Sequence, residues 1–257
     1  MNDMYLKFQS HKNDDYYENK VYGFFTKNGG VSNGDLKSLN CAFTKFELDE
    51  NVIKNRAIAC KSLTLDPNKL VLLNQVHSSK VLLIDKKNYR NIHTADGMIT
   101  KEKGIVLGIL TADCAPVIIL GKKFVGIIHV GWRGLLNNIL KNTSILLKKK
   151  GESIENSIFI VGPHLRLNSF EVQNDFINHL MKFGVNIKEY IKTTKLKTYF
   201  DFSQLIKKKI QLLGVKKILI SKVDTFRSSD NFFSYRYSKI LGKNYCGRNI
   251  SIVSIKK

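Results

Sequence analysis

Proline and cysteine are both scarce in this chain, three and four residues in 257. There is no proline-rich linker, and no Gly/Ser-rich stretch, repeat or low-complexity tract takes its place, so one domain spanning 1–257 is the simplest parse. Cys41, Cys60, Cys114 and Cys246 form no C-x-x-C pair, so neither a disulfide framework nor a short-spaced zinc finger is encoded. Cys60, in NRAIACKSL, reads as packed on a helix face. No run reaches the roughly 18 apolar residues of a membrane-spanning helix. The opening MNDMYLKFQSHKNDD has no apolar signal-peptide core, and a reducing cytoplasm is the expected compartment. A chain of this length buries roughly 70–75% of its unfolded surface and needs no staple.

Acidic residues are also few. Lys and Arg number 42 against 21 Asp and Glu, a formal net charge of +21. Such a balance attracts polyanions. The lysines, however, fall in short groups along the chain, at 148–150, 207–209, 216–217 and 256–257. No RNP-like aromatic motif, helix-turn-helix signature or glycine-rich phosphate loop accompanies them, and Gly29-Gly30 reads as a hairpin turn. Lysines 148–150 close a helix, where cations complement the dipole. The expected reading is a solvated basic surface that steers anionic phosphate, with no nucleic-acid partner. Polyanion binding, RNA in particular, stays open as the non-enzymatic alternative.

Short apolar runs rich in Val, Ile and Phe alternate with amphipathic stretches. YLKF, VYGFF, LVLLNQV, KVLLID, GIVLGIL, PVIIL, FVGIIHV, SIFIVG, KKILIS and NISIVSI read as strands. Four stretches read as helices from their apolar spacing. Asp49 caps ENVIKNRAIACKSL, with a stripe of Val52, Ile53, Ala57 and Ile58. Gly131 opens WRGLLNNILKNTSILLKKK, where Leu135, Leu136, Ile139, Leu140, Leu146 and Leu147 share a face before Gly151 stops it. Asn168 or Ser169 starts FEVQNDFINHLMKF, which ends at Gly184 and presents Phe170, Phe176, Ile177 and Leu180. Asp201 caps FSQLIKKKIQLL, closed by Gly214. Strand runs outnumber helices without strict alternation, which predicts mixed α+β layers.

Three residues at the ends of apolar runs stand out: His77 in LLNQVHSS, Cys114 in LTADCAPVII and His129 in VGIIHVGWRG. Taken singly, each is an ordinary core or hydrogen-bonding residue type. Together, a thiolate and two imidazoles fill three corners of a tetrahedron, and three protein ligands with an open fourth position are the mark of catalytic zinc. The spacings, 37 and 15 residues, suit ligands delivered by separate strands. Pro116 interrupts strand pairing just after Cys114, and Gly131-Trp132-Arg133-Gly134 follows His129 with the chain's single tryptophan.

The segments NQVHSSKV (74–81), ADGMIT (95–100), TADCAPVII (111–119), HVGWRGL (129–135), VGPHL (161–165), FEV (170–172) and FFSYR (232–236) occur in this order, preceded by GFFTKNGGVSNGDLKSLN (23–40). In this set the chain resembles the YfiH-like family, also called multicopper polyphenol oxidase or laccase-domain proteins and peptidoglycan editing factors. The resemblance covers nearly the whole chain. It implies a single-domain layered sandwich with mixed sheets inside and helices outside. It also implies a zinc-dependent purine nucleoside enzyme that phosphorolyses adenosine, inosine and methylthioadenosine and deaminates adenosine. His77, Cys114 and His129 fall at the family's metal-ligand positions. Three departures touch the rim and the substrate preference: Lys27 where Arg is common, His164 where Cys or a small residue is common, and YRYSKILGKNYCGR (235–248) in place of a shorter stretch.

On this reading Arg133, in the first turn after His129, offers a planar fork to phosphate, beside a helix N-terminus that favours anions. Asp113 and Glu171 are the candidate proton carriers for deamination; strand alternation also allows Asp113 a supporting role. Asn40 and Arg56 match polar motif positions and are expected to contact ribose or base, with Tyr235 and Arg236 at the rim. The partners are then a purine nucleoside and phosphate, without a membrane, and a monomer is expected. Copper is the alternative metal, since two His and one Cys also suit a blue-copper centre. A multicopper oxidase needs more histidine than six residues with no H-x-H pair supply. A third option is Cys114 as nucleophile with His129 as base, hydrolysing an amide in peptidoglycan editing.

Overall fold

A strand that is apolar at consecutive positions must be covered on both faces, and VLGILT, APVIIL and NISIVSI are of that kind. In the computed structural model of the chain, which describes residues 4–6 and 19–257, these strands occupy the middle of two facing mixed sheets. The first has the order β1 (Tyr5–Leu6), β2 (Lys20–Phe25), β16 (Asn249–Ile255), β8 (Val106–Thr111), β3 (Leu70–Val71). The second runs β15 (Lys217–Ile220), β11 (Ile158–Val161), β9 (Ala115–Leu120), β10 (Val125–Val130), β7 (Gly97–Thr100), β5 (Val81–Leu83). There are also two small ladders, β12 (Glu171–Val172) with β14 (Thr198–Phe200) and β13 (Ile191–Thr193), and β4 (Leu73–Asn74) with β6 (His93–Thr94).

Side-chain alternation assigns each face. Ile118 and Leu120 of β9 point between the sheets, toward Phe24, Leu107 and Val253. Val117 and Ile119 point the other way, beneath α2 (Trp132–Leu136), α3 (Ile139–Lys149) and α5 (Phe202–Gln211), where they meet Leu135, Ile139, Leu140 and Ile206. On the far face of the first sheet, Ile250 and Ile252 pack under Ala59 and Cys60 of α1 (Asp49–Ser62). Each fully buried aliphatic side chain stabilises this helix–sheet–sheet–helix stack by roughly 1.5–3 kcal/mol. The expected α+β sandwich, sheets inside and helices outside, is the observed one.

Several local limits differ from the sequence reading. Asp49 is the first residue of α1 and not its cap; the cap position is Leu48, without a side-chain hydrogen bond. The buried face of α1 is Val52, Asn55, Ala59 and Cys60, while Ile53 is 60% exposed. The long helix after Gly131 breaks in two because Asn138 adopts φ 67°, a left-handed conformation that Asn tolerates and that ends an α-helix. The stretch from Asn168 is not yet helical: a 3₁₀ turn (Leu167–Ser169) and β12 precede α4 (Asn174–Lys182). There Phe170 is drawn into an aromatic cluster with Phe176, Phe200 and Phe202, so Glu171 lies on a strand. Asp201 caps α5 as read, accepting from Gln204 N at 2.9 Å. A short α6 (Tyr235–Ile240), capped by Ser234, was not encoded by any apolar stripe.

Gly29 and Gly30 make no hairpin turn, since the next element is a 3₁₀ turn (Gly34–Leu36). A Cβ on Gly30 would collide with the Ser38 carbonyl, so this glycine permits a close backbone approach. LVLLNQV divides at Leu72 into β3 and β4. Of YLKF, only Tyr5 and Leu6 belong to the described residues; Lys7 and Phe8 lie outside them, as does His11.

Candidate metal centre

Three connections meet at one end of the second sheet. The β9–β10 register sets His129 opposite Pro116 and Val130 opposite Ala115, which brings Cys114, one residue before β9, beside the end of β10. His77 arrives from the β4–β5 link in a left-handed conformation, φ 57°. The ligand-type atoms of His77, Cys114 and His129 all lie within 4.8 Å of one another. Cys114 Sγ is 3.7 Å from His77 Nε2, and a tetrahedral zinc with ordinary bond lengths separates sulfur from nitrogen by ~3.6 Å. The two imidazole rings meet edge to face, centroids 4.7 Å apart.

Asp96 holds this arrangement in place. Its fully buried carboxylate accepts His129 Nδ1–H at 2.8 Å and the His77 amide at 3.0 Å through Oδ1, and the Ser78 amide and hydroxyl at 2.6 and 2.7 Å through Oδ2. With Nδ1 donating to Asp96, His129 turns Nε2 toward Cys114 and His77, the orientation a metal-bound histidine needs. Burial alone would raise the Asp96 pKa; the hydrogen bonds from His129 and Ser78 outweigh it and hold the carboxyl at about 2. Burial likewise opposes charge on Cys114 and His129, yet their mutual attraction draws the thiol below its usual range and the imidazole above its own. A thiolate and two imidazoles are the donor set zinc takes, and zinc binding would displace the Nε2 proton that the Cys114 thiolate favours on His129.

Glycine makes the close approach possible. A Cβ on Gly131 would lie 2.7 Å from His77 Cδ2 and 3.3 Å from Cys114 Sγ, and one on Gly134 would lie 2.9 Å from the Ser78 carbonyl. The triad opens into a cleft of about 750 Å³, within the usual range for small-molecule sites. Arg133, Arg248, Gln75, Phe43 and Tyr235 line it. Phe43 is backed by the Arg56 guanidinium, 4.4 Å from its ring.

Of the other sequence-read residues, Arg133 and Tyr235 reach this cleft; Asn40, Arg56, Asp113, Glu171 and Arg236 do not line it. Asn40 is fully buried and ties the Ala42 and Arg248 amides together, each at 3.1 Å. Arg56 Nε donates to Cys41 O at 2.9 Å. Asp113 accepts from Thr225 Oγ1 and from the Arg236 amide, both at 2.7 Å; burial raises its pKa against those bonds. Glu171 pairs with Lys197 at 2.8 Å, and Arg236 Nη2 reaches the Glu171 carbonyl at 3.0 Å. The helix after Gly131 is only five residues long, so its dipole is small and Arg133 carries most of the attraction for anions. His164 is a core residue, bonded to Gly162 O and Ser203 Oγ.

Sequence reasoning missed Asp96, Gly131, Arg248 and Phe43 as site residues. The first three stand inside segments already singled out, ADGMIT, HVGWRGL and the final Cys-Gly-Arg; nothing in the sequence marks Phe43.

Known proteins resemble this chain along most of its length. The family described as "Multi-copper polyphenol oxidoreductase laccase" matches residues 21–256. A protein of Bacteroides thetaiotaomicron named purine nucleoside phosphorylase is 30% identical over 256 residues, 94% of this chain and 93% of that one. Purine nucleoside phosphorylase YfiH of Escherichia coli is 30% identical over 224 residues, 85% of this chain and 88% of its own. In fold, the chain is similar to YlmD from Geobacillus stearothermophilus, with TM-score 0.86 and 22% identity across 97% of this chain and 99% of that one. By sequence along nearly its whole length, this chain belongs to the multicopper polyphenol oxidoreductase laccase family, the family of the YfiH and YlmD proteins.

Proposed function

We propose that this chain is a zinc-dependent purine nucleoside phosphorylase that acts on adenosine, inosine and methylthioadenosine and also deaminates adenosine. The observation that carries this reading is the meeting of His77, Cys114 and His129 on a cleft that also presents Arg133 and Arg248. The names of the relatives supply the reaction class.

Held by His77 Nε2, Cys114 Sγ and His129 Nε2, zinc would supply a Lewis acid with one position open to the cleft. Asp96 keeps the proton on His129 Nδ1, leaving Nε2 as an electron-pair donor. Phe43 and Tyr235 offer flat apolar faces on which a purine can stack. Arg133 and Arg248 are the guanidinium groups that would bind phosphate as bidentate forks. In phosphorolysis a phosphate oxygen bonds to ribose C1′ as the C1′–N9 bond breaks; the bonding pair leaves with the purine, which takes up a proton. In deamination water adds at C6 and ammonia departs. Among the described residues no Asp or Glu lines the cleft, so the side chains there supply binding and orientation rather than a carboxylate base.

One observation favours a second reading, a thiol hydrolase: Cys114, His129 and Asp96 stand in the order nucleophile, base and orienting acid. Copper oxidase chemistry lacks such support. Beyond the triad, His93 is bonded to Asn88 O, His164 to Ser203 and His179 packs on Trp132.

The test is incubation with adenosine, with and without phosphate, of protein whose metal content is measured. About one zinc per chain, adenine and ribose 1-phosphate only with phosphate, and inosine in either case are expected. Activity that survives zinc removal and is abolished by thiol alkylation would replace the proposal with the hydrolase. Adenine released without phosphate would remove the role of Arg133.

A further inference from the structure

The candidate centre lies where β8 and β10 end and β9 begins. The strand registers gather the opposite ends together. Val125 pairs with both Leu120 and Thr100, Ile158 with Leu120 and Lys217, Ile255 with Lys20, and Ser254 with Val106. Contacts join the two sheets at this end: Lys20 Nζ donates to Lys122 O at 3.3 Å. The side chain of Lys257 packs on Gly104.

Six segments therefore form one face: 19–20, 101–104, 121–124, 148–157, 214–217 and 256–257. They contain twelve lysines and three glutamates. The matching segments at the cleft end, 26–30, 95–96, 112–114, 131–133, 162–166, 221–224 and 246–248, carry five basic residues and three acids. The glutamates of the basic face are largely committed. Glu152 is buried and accepts the amides of Lys122, Lys123 and Phe124 at 3.0, 2.6 and 2.8 Å. Glu155 and Glu102 sit 3.9 and 3.8 Å from Lys216 and Lys86. Three of the four lysine groups, 148–150, 216–217 and 256–257, are thus collected by the fold on the side away from the cleft.

We propose that this face binds a nucleic-acid strand through its phosphates, without reading bases. At a strand spacing of ~4.8 Å the face is on the order of 20 Å wide, room for about three or four phosphates of a single strand. A membrane surface fits less well, because interfacial binding needs an apolar face to insert. Among the described residues, the exposed aromatics Phe43, Phe46, Phe183, Tyr235 and Tyr237 all lie outside these segments.

The test is fluorescence anisotropy with a labelled 20-nucleotide RNA and a DNA of the same length. Comparable affinity for both is expected, falling about 20- to 50-fold between 50 and 200 mM salt for about three or four phosphate contacts. Neutralising Lys123, Lys149, Lys150 and Lys256 to Gln should weaken binding at least about 10-fold. The same number of changes at Lys182, Lys188, Lys192 and Lys195 should alter it little. Should the first variant fold poorly, Lys256→Gln with Lys257→Gln at the chain end is the substitute, with a proportionate loss expected. Equal losses in both lysine sets, no binding of either strand at 150 mM salt, or binding to phosphatidylserine vesicles in place of nucleic acid would each overturn the proposal. His77→Ala should bind RNA as the parent does, which separates this result from the fate of the nucleoside reading.

Discussion

Asp96→Asn is the most informative single change at this site. The carboxylate accepts five hydrogen bonds: His129 Nδ1–H and the His77 amide at Oδ1, and the amide and hydroxyl of Ser78 and the Val76 amide at Oδ2. An Asn side chain keeps one acceptor and turns the other position into a donor facing donors. Either flip state loses at least two bonds to a charged acceptor, each worth about 1.5–3 kcal/mol, so a cost of roughly 3–6 kcal/mol is expected. That is a large part of the ~5–15 kcal/mol that holds a domain folded. The same change frees the His129 tautomer, and loss of such a partner lowers metal affinity on the order of 10- to 100-fold. Urea unfolding reads the first effect and zinc competition with a chromophoric chelator reads the second. Unchanged stability and unchanged zinc affinity together would refute the reasoning. Lost stability with intact zinc affinity would restrict Asp96 to bracing residues 76–78.

Gly131→Ala places a methyl 2.7 Å from the His77 ring, so chelator competition should show zinc affinity lowered on the order of 10-fold or more; parental affinity would mean the ring moves aside freely. Arg133→Ala is expected to raise KM for phosphate about 10- to 100-fold while leaving nucleoside binding nearly unchanged, and Arg133→Lys should recover only part because the planar fork is gone; steady-state kinetics with phosphate varied decides. His164 supplies a pH test. Burial lowers its pKa to about 4, so between that value and the unfolded ~6.5 the folded state binds fewer protons than the unfolded one. Its contribution is complete above pH ~6.5 and is lost as pH falls toward 4, about 2 kcal/mol by pH 5. Urea unfolding at pH 7.5 and 5.0 should show that difference shrink by this amount in His164→Gln; an unaltered difference would refute the assignment.

The apolar runs made the strands legible, because a strand covered on both faces needs no polar alternation. Ends were less legible. Asn138 breaks a helix whose stripe continues across it, since backbone conformation at one residue leaves no trace in side-chain periodicity. Asp113 illustrates a second limit: adjacency to Cys114 said nothing of the Thr225 hydroxyl and Arg236 amide, 112 and 123 residues away, that take its carboxylate.

By itself the sequence determined which side chains have metal-binding chemistry, His77, Cys114 and His129, that each closes an apolar run, and that layered sheets and helices would carry them. Donor type and hydrophobic pattern are local properties, readable one segment at a time. Only the tertiary structure decided that these three meet within 4.8 Å, that Asp96 fixes their orientation, that Arg248 joins Arg133 in the cleft, and that dispersed lysines share one face. Those are distances between segments far apart in the chain, and strand register and sheet packing set them.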